Sequence, residues 1–175
     1  VLSSIHLTEE NERLRVLHFW NVNGSDRPQS DGEAYEAARE KGFHSLIGLI
    51  QVGRECHLVD RLDVQIYVDG LSQVDPAEDL LYPEKGLLLG PLRVGTQEVT
   101  CRSMRCIDIP GKNYKSADGT LLDQIWQEAH KDSANAITAL RREGRYAEHL
   151  FDLAELPRSR SRLRYGGTVL ITGGV

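Results

Sequence analysis

The 175-residue sequence has no apolar run long enough to span a bilayer, which excludes a transmembrane helix. It shows no secretory signal, since Val1 to Glu12 turn polar and acidic almost at once, and none is expected. It lacks a charge excess that would draw it to nucleic acid or to an anionic membrane: 21 basic residues against 26 acidic ones give a net charge of −5. The basic stretches Arg141-Arg142 and Arg158 to Arg164 are short and broken, and they read as solvated loop charges. Cysteine occurs three times, at Cys56, Cys101 and Cys106, an odd number that reads as reduced, cytoplasmic thiols. If the run between Cys101 and Cys106 is extended, the two point to opposite faces, which suits neither a disulfide nor a shared metal. No internal repeat is evident.

Catalytic patterns are missing as well. The histidines, His6, His18, His44, His57, His130 and His149, include no i, i+4 pair with a carboxylate, so no zinc motif is present. Ser45 has no G-x-S-x-G setting. His57 adjoins Cys56, but neighbouring residues face apart and no orienting acid is placed. A tyrosine acid with a lysine four residues on is approached only by Tyr35 with Arg39 and by Tyr82 with Lys85. The first has an arginine that cannot be deprotonated; the second is one residue short and has Pro83 between. Both read as surface contacts. No catalytic and no metal-binding residue is assigned.

What remains is an ordinary globular composition, 40% hydrophobic and 27% charged, in a chain long enough to bury roughly two thirds of its unfolded surface. Strand-like and helical runs alternate. Val16 to Trp20 reads as a strand buried on both faces, followed by a turn cluster at Asn23 to Asp26. Asp31 to Val52 has helical period, with Phe43, Leu46, Ile47 and Ile50 on one stripe and Gly53 as its stop. Val64 to Val68 is a second strand, and Asp75 to Asp79 is an acidic loop. Lys85 to Leu92 reads as a short helix stopped by Pro91, and Met104 to Ile109 as a half-buried strand. A capping box at Thr120 to Asp123 opens a helix with Leu122, Trp126 and Ala129 on one face. Ala136 to Leu140 and Tyr146 to Leu150 are strands joined by a turn at Gly144, and Thr168 to Ile171 is a last strand. His18, Trp20 and Trp126 read as core residues, with His18 paired to a backbone carbonyl. The order implies α/β with a mainly parallel sheet.

Three segments carry a family resemblance. His18-Phe19-Trp20 and Phe43-His44-Ser45-Leu46 resemble the opening strand and F-x-S-L helix of the structural subdomain of ketoreductases in type I modular polyketide synthases. The run Pro83-Glu84-Lys85-Gly86-Leu87-Leu88-Leu89-Gly90-Pro91, then Arg93-Val94, Gln97-Glu98 and Cys101-Arg102-Ser103, resembles their "PEKA-LLGP-RV-PQE…CRSIDI" stretch, which Arg105 to Ile109 completes. Gly166 to Gly174 is similar to the "G-YLITGG-G-G" strand that opens the family's NADPH-binding half. Gly95-Thr96 departs from the usual hydrophobic residue and proline, and the interval from Glu98 to Cys101 is short.

The resemblance implies a short-chain-dehydrogenase-like ketoreductase in two halves. Residues 1–156 would be the structural subdomain, 157–167 a linker, and 168–175 the first strand of the missing NADPH-binding catalytic subdomain. The fold implied is a truncated Rossmann-like α/β fold with a mainly parallel sheet flanked by helices. The first half lacks cofactor and catalytic groups, and it braces the half that reduces the β-ketone of a tethered acyl chain in polyketide biosynthesis. Thr172, Gly173 and Gly174 would be the remnant of a glycine motif whose phosphate-binding helix is absent, so no cofactor is expected here, and NADPH only in the complete ketoreductase. The implied partners are the catalytic half, neighbouring synthase domains and, indirectly, the acyl carrier protein; nucleic acid and membrane are not expected. Glu84 with Lys85, Arg93 with Glu98, and Arg102 with Asp108 are either structural ion pairs or solvated charges. Two other readings stay open: a free-standing α/β enzyme binding a nucleotide or acyl group, and a docking module for a neighbouring synthase domain.

Overall fold

A computed structural model describes residues 12–23, 30–78, 82–98, 101–111, 119–149, 152, 164–170 and 172–173. The expected linker residues 157–163, Leu150, Ile171, Gly174 and the stretches 24–29 and 112–118 lie outside these.

A five-stranded sheet forms the centre, in the order β1 (Leu14–Asn21), β2 (Leu62–Asp69), β3 (Ser103–Ile109), β4 (Ile137–Arg141) and β5 (Gly144–Ala147). The first four strands run parallel, and β5 returns antiparallel to β4 through a hairpin. On one face lie α1 (Asp31–Ala38), α2 (Ser45–Glu55) and α3 (Leu89–Glu98). On the other lies α4 (Thr120–His130), whose Leu121 and Ile125 pack against Tyr67, Ile107 and Leu140. The fold is therefore α/β with a mainly parallel sheet flanked by helices. Among the described residues no helix is long and apolar enough to cross a membrane.

Period-two alternation on β2 builds both layers. Leu62, Val64, Ile66 and Val68 join the larger core with Leu46, Ile50, Leu88 and Leu92. The alternate residues Asp63, Gln65 and Asp69 are polar yet buried, because α4 and the loops close over them. The same cover buries β3, so the half-buried reading of Met104 to Ile109 is corrected. β1 departs in the opposite direction. It lies at the sheet margin with Leu17, Phe19 and Trp20 exposed, rather than buried on both faces.

Helix ends differ from expectation for identifiable reasons. A capping box does occur, but at Ser30 and Glu33 ahead of α1: Ser30 Oγ accepts from the Glu33 amide and Glu33 accepts from the Ser30 amide. Helix α4 instead begins after Gly119, whose φ of +69° favours glycine, so the box at Thr120 is not formed. Leu122 and Trp126 point to solvent and only Ala129 of the expected face is buried. Trp20 and Trp126, at 66% and 69% exposure, are not core residues. Between α1 and α2 a π-helical stretch, Arg39–His44, brings Gly42 against the Asn21 side chain. Gly53 does not stop α2, which continues to Glu55. It is buried there, and a Cβ on it would stand 2.5 Å from Leu62 Cδ1. Pro91 sits in the first turn of α3, where its missing N–H has no helical partner to lose, so the helix runs through it.

Cys101 and Cys106 line the same core rather than opposite faces, because Cys101 precedes the extended strand. Burial pushes the Cys101 thiol up to about 11 and the Cys106 thiol higher still, which makes both poor nucleophiles. All three cysteines are free.

Two glycines of α2 separate packing from backbone entropy. Gly53→Ala drives a methyl into Leu62 and is expected to cost about 1–3 kcal/mol. Gly48 has open space where an alanine methyl would stand, and Gly48→Ala is expected to gain about 0.4–1 kcal/mol. Urea denaturation of the two variants beside the wild type checks the opposite signs.

Candidate functional site

In open α/β sheets ligands bind outside the carboxyl ends of the strands, where neighbouring connections leave toward opposite faces. That divergence occurs here between β2 and β3. The chain leaves β2 for a 3₁₀ turn, Pro83–Leu88, and α3; it leaves β3 for α4 on the other face. The crevice between these two strand ends lies at that divergence, although the strand order itself does not reverse.

The chain fills it with its own groups. Asp108, fully buried near the end of β3, accepts from the Leu71 amide at 2.9 Å and from the Ser72 amide at 3.2 Å. These successive backbone N–H groups follow Asp69-Gly70 at the end of β2. Here they already hold an anion, the Asp108 carboxylate. Arg141, at the end of β4, closes the other side. Its Nη2 donates to Asp108 Oδ2 at 2.8 Å and to Ser72 O at 2.9 Å, and its Nε donates to Glu78 Oε1 at 2.7 Å. Its Nη1 donates to Leu140 O at 2.9 Å. Burial raises the pKa of Asp108 despite Arg141 and the two amides. Hydrogen bonding from Arg141 lowers that of the more open Glu78.

Lys85 forms the second half of the plug. Its ammonium donates to Asn21 O at 2.7 Å and to Asp69 O at 3.2 Å, and it forms an ion pair with the Asp69 carboxylate. The Tyr82 ring lies 4.2 Å below it. Its three donors are thus committed to β1 and β2. Desolvation lowers its pKa against the pull of Asp69. Tyr82 and Lys85 are both buried, not surface contacts. Tyr35 is exposed and Arg39 pairs with Glu36 at 2.6 Å.

A matching network fixes α4 at the amino ends of the strands. Glu128, 3% exposed, accepts from Arg105 at 3.2 Å and from Arg145 at 2.9 Å. Arg15 bridges Asp63 at 2.5 Å and Ala129 O at 2.7 Å. Tyr67 donates to Gln65, which donates to Ala129 O, and burial pushes the phenol up to about 12.

The remaining sequence candidates separate. His18 bonds Ser45 Oγ at 3.0 Å, not a backbone carbonyl. Ser45 in turn donates to the α2 turn, to Lys41 O or Gly42 O, so its proton is committed away from His18. No side-chain hydrogen bond links Cys56 and His57 among the described residues, and no cluster of three or more metal-ligating side chains occurs there. Arg93 pairs with Glu148 at 3.4 Å rather than Glu98, and Asp108 with Arg141 rather than Arg102. Arg141, read from sequence as a solvated loop charge, is the most connected side chain of the crevice. A charged residue ending an apolar strand was the one available signal. Thr172 and Gly173 are exposed, with Gly173 at φ +81°; Gly174 lies outside the described residues. Thr168 to Leu170 make no sheet pairing among the described residues.

The site and topology define an α/β domain whose ligand crevice is closed by its own ion pairs. No family model and no curated protein matches the sequence. Among solved structures the chain is similar to one described as the adenylation, ketoreductase and pseudo-Asub multidomain structure of a keto acid-selecting NRPS module. The TM-score is 0.62 at 16% identity, over 80% of this chain and 11% of that one. The likeness concerns the fold, and this chain spans about a ninth of that protein.

Removing Arg141 strands Asp108 in the interior. Arg141→Met is expected to destabilise the domain by about 3–5 kcal/mol, read from the urea midpoint. The Glu78 contact adds a pH signature. Its folded pKa lies below the ordinary glutamate value, so its contribution is complete above that value and lost as pH falls through the depressed one. Glu78→Gln should therefore flatten the fall in stability as pH drops below the ordinary glutamate value.

Proposed function

We propose that this chain is the structural, non-catalytic half of a ketoreductase of a polyketide synthase or related modular synthase, and that it braces the NADPH-binding half. The observation that carries the reading is the closed crevice. The crevice at the carboxyl ends of β2 and β3 is occupied by the Asp108 carboxylate, and the only buried lysine among the described residues is held by Asp69. Such a domain keeps the shape of a dehydrogenase and has committed its polar groups to rigidity. The motif resemblance over Pro83 to Ile109 supports the same reading, as does the fold likeness to a multidomain protein that contains a ketoreductase.

In this reading residues 1–156 form the bracing domain, 157–167 a linker, and 168–175 the first strand of the NADPH-binding half. The exposed Val169 and Leu170 fit a strand whose neighbours lie in that half. The parent reduces the β-ketone of an acyl chain carried by an acyl carrier protein, in the cytoplasm, with NADPH bound beyond Gly173. The free-standing enzyme is disfavoured because its ligand would have to displace Asp108 and Arg141 from each other.

Titration of the 175-residue chain with NADPH, followed by cofactor fluorescence, should give no saturable change. Covalent continuation of the chain through the downstream half should restore micromolar binding. Saturable micromolar binding to the 175-residue chain would overturn the reading.

A further inference from the structure

His18 takes no part in the crevice networks, and its contacts join two elements. It stands in β1 opposite Ile66 of β2. Its Nε2 lies 3.0 Å from Ser45 Oγ at the start of α2. The Ser45 hydroxyl has one proton, directed to Lys41 O or Gly42 O of the π-helical turn. Ser45 Oγ is therefore the acceptor, and His18 Nε2 carries the hydrogen between them. That leaves Nδ1 as the bare nitrogen. It is buried, with no hydrogen-bond partner among the described residues. Asn21, further along β1, bonds the same turn: its Nδ2 donates to Lys41 O at 3.4 Å, and its side chain lies against Gly42.

Among the described residues, the surroundings offer a positive charge on this ring no carboxylate. The neighbouring β2 residues Val64, Ile66 and Val68 belong to the apolar core. Trp20 places its ring 5.4 Å from the imidazole. Arg39, Lys41 and His44 of the turn are basic, and its one acid, Glu40, pairs with Arg39 at 3.7 Å. Helix α2 carries its charges, Arg54 and Glu55, at its far end. Arg15, the other ionisable group of β1, bonds Asp63 and Asp132, and Lys85 beside Asn21 O is held by Asp69. Desolvation lowers the His18 pKa and outweighs the pull of its own backbone carbonyl.

We propose that His18 and Ser45 form an acid-sensitive clasp between β1 and the π-helical turn. With the ring neutral, Nε2 holds Ser45 and Nδ1 needs no donor. A second proton, at Nδ1, puts an N–H and a charge into an enclosed position flanked by basic groups. The ring as a whole is only partly buried, so it reaches water by turning about its own side-chain bonds, at the loss of the Ser45 contact. An unfolded histidine takes up its proton at about pH 6.5, and folded His18 takes it up less readily. The clasp is therefore complete above that value and is lost as pH falls below it. It goes beyond the bracing function, and its failure leaves that reading untouched.

Magnetic resonance of the 175-residue chain follows the His18 ring between about pH 8 and pH 5. His18 should titrate below its value in the urea-unfolded chain, and its ring nitrogens should show the Nε2–H tautomer while neutral. The amides of Lys41 to Ser45 should shift with the same midpoint. Urea midpoints at the two ends of that range then compare the wild type with His18→Gln, which keeps an N–H donor toward Ser45 and cannot be charged. The wild-type midpoint should fall further on acidification. An ordinary or raised His18 value, as a carboxylate brought up from outside residues 12–149 would give, overturns the clasp. So does the Nδ1–H tautomer, an equal fall in the two midpoints, or a turn whose amides ignore the titration. If His18→Gln does not fold, the wild-type titration, tautomer and turn amides decide the question.

Discussion

The Asp108–Arg141 pair is the contact on which the carboxyl end of the sheet depends. Asp108 has no exposure to water, so its charge survives only because the guanidinium and two backbone amides replace the hydration it loses. Through those amides the pair fixes the turn after β2, and through Glu78 it fixes the acidic loop beyond it. Arg141 thereby ties the ends of β2, β3 and β4 into one unit. Lys85 does the same for β1 and β2. These are directional bonds in a low-dielectric setting, so they constrain geometry more than they add net stability.

The chemical consequence is that these polar groups are committed to one another. The Leu71 and Ser72 amides hold the Asp108 carboxylate, and Lys85 meets Asp69. Tyr67 has its phenol pushed up to about 12 and bonded to Gln65. One oxygen of Asp69 at the crevice has no partner among the described residues.

The amino ends of the strands follow the same pattern. Glu128 on α4 takes both Arg105 and Arg145, and Arg15 reaches the last turn of α4 from β1. One helix on that face is thus clamped to β1, β2, β3 and β5. The flank of α4 bearing Leu122 and Trp126 is left exposed, as are Leu17 and Phe19 on the same side of the sheet.

The order of β1 to β5 and of the helices between them, the parallel sheet, the turn beside Gly144 and the apolar stripe of α2 were legible in the sequence, because each follows from local period and turn chemistry; the last expected strand, Thr168 to Ile171, forms no strand over its described residues Thr168 to Leu170. The site was not legible. Asp108 and Arg141 lie 33 residues apart, Lys85 and Asp69 are 16 apart, and Arg105 and Glu128 are 23 apart, so no local pattern announces any of these pairs. Exposure was equally hidden: Trp20 and Trp126 carry the composition of a core but sit where the sheet and α4 run out of neighbours. Local sequence determined which elements form, because hydrogen-bond period and side-chain shape act within a few residues. Which charges are buried, which partners they take and which strand edge is left open were decided only by the tertiary arrangement, because desolvation and pairing depend on what the whole chain brings alongside.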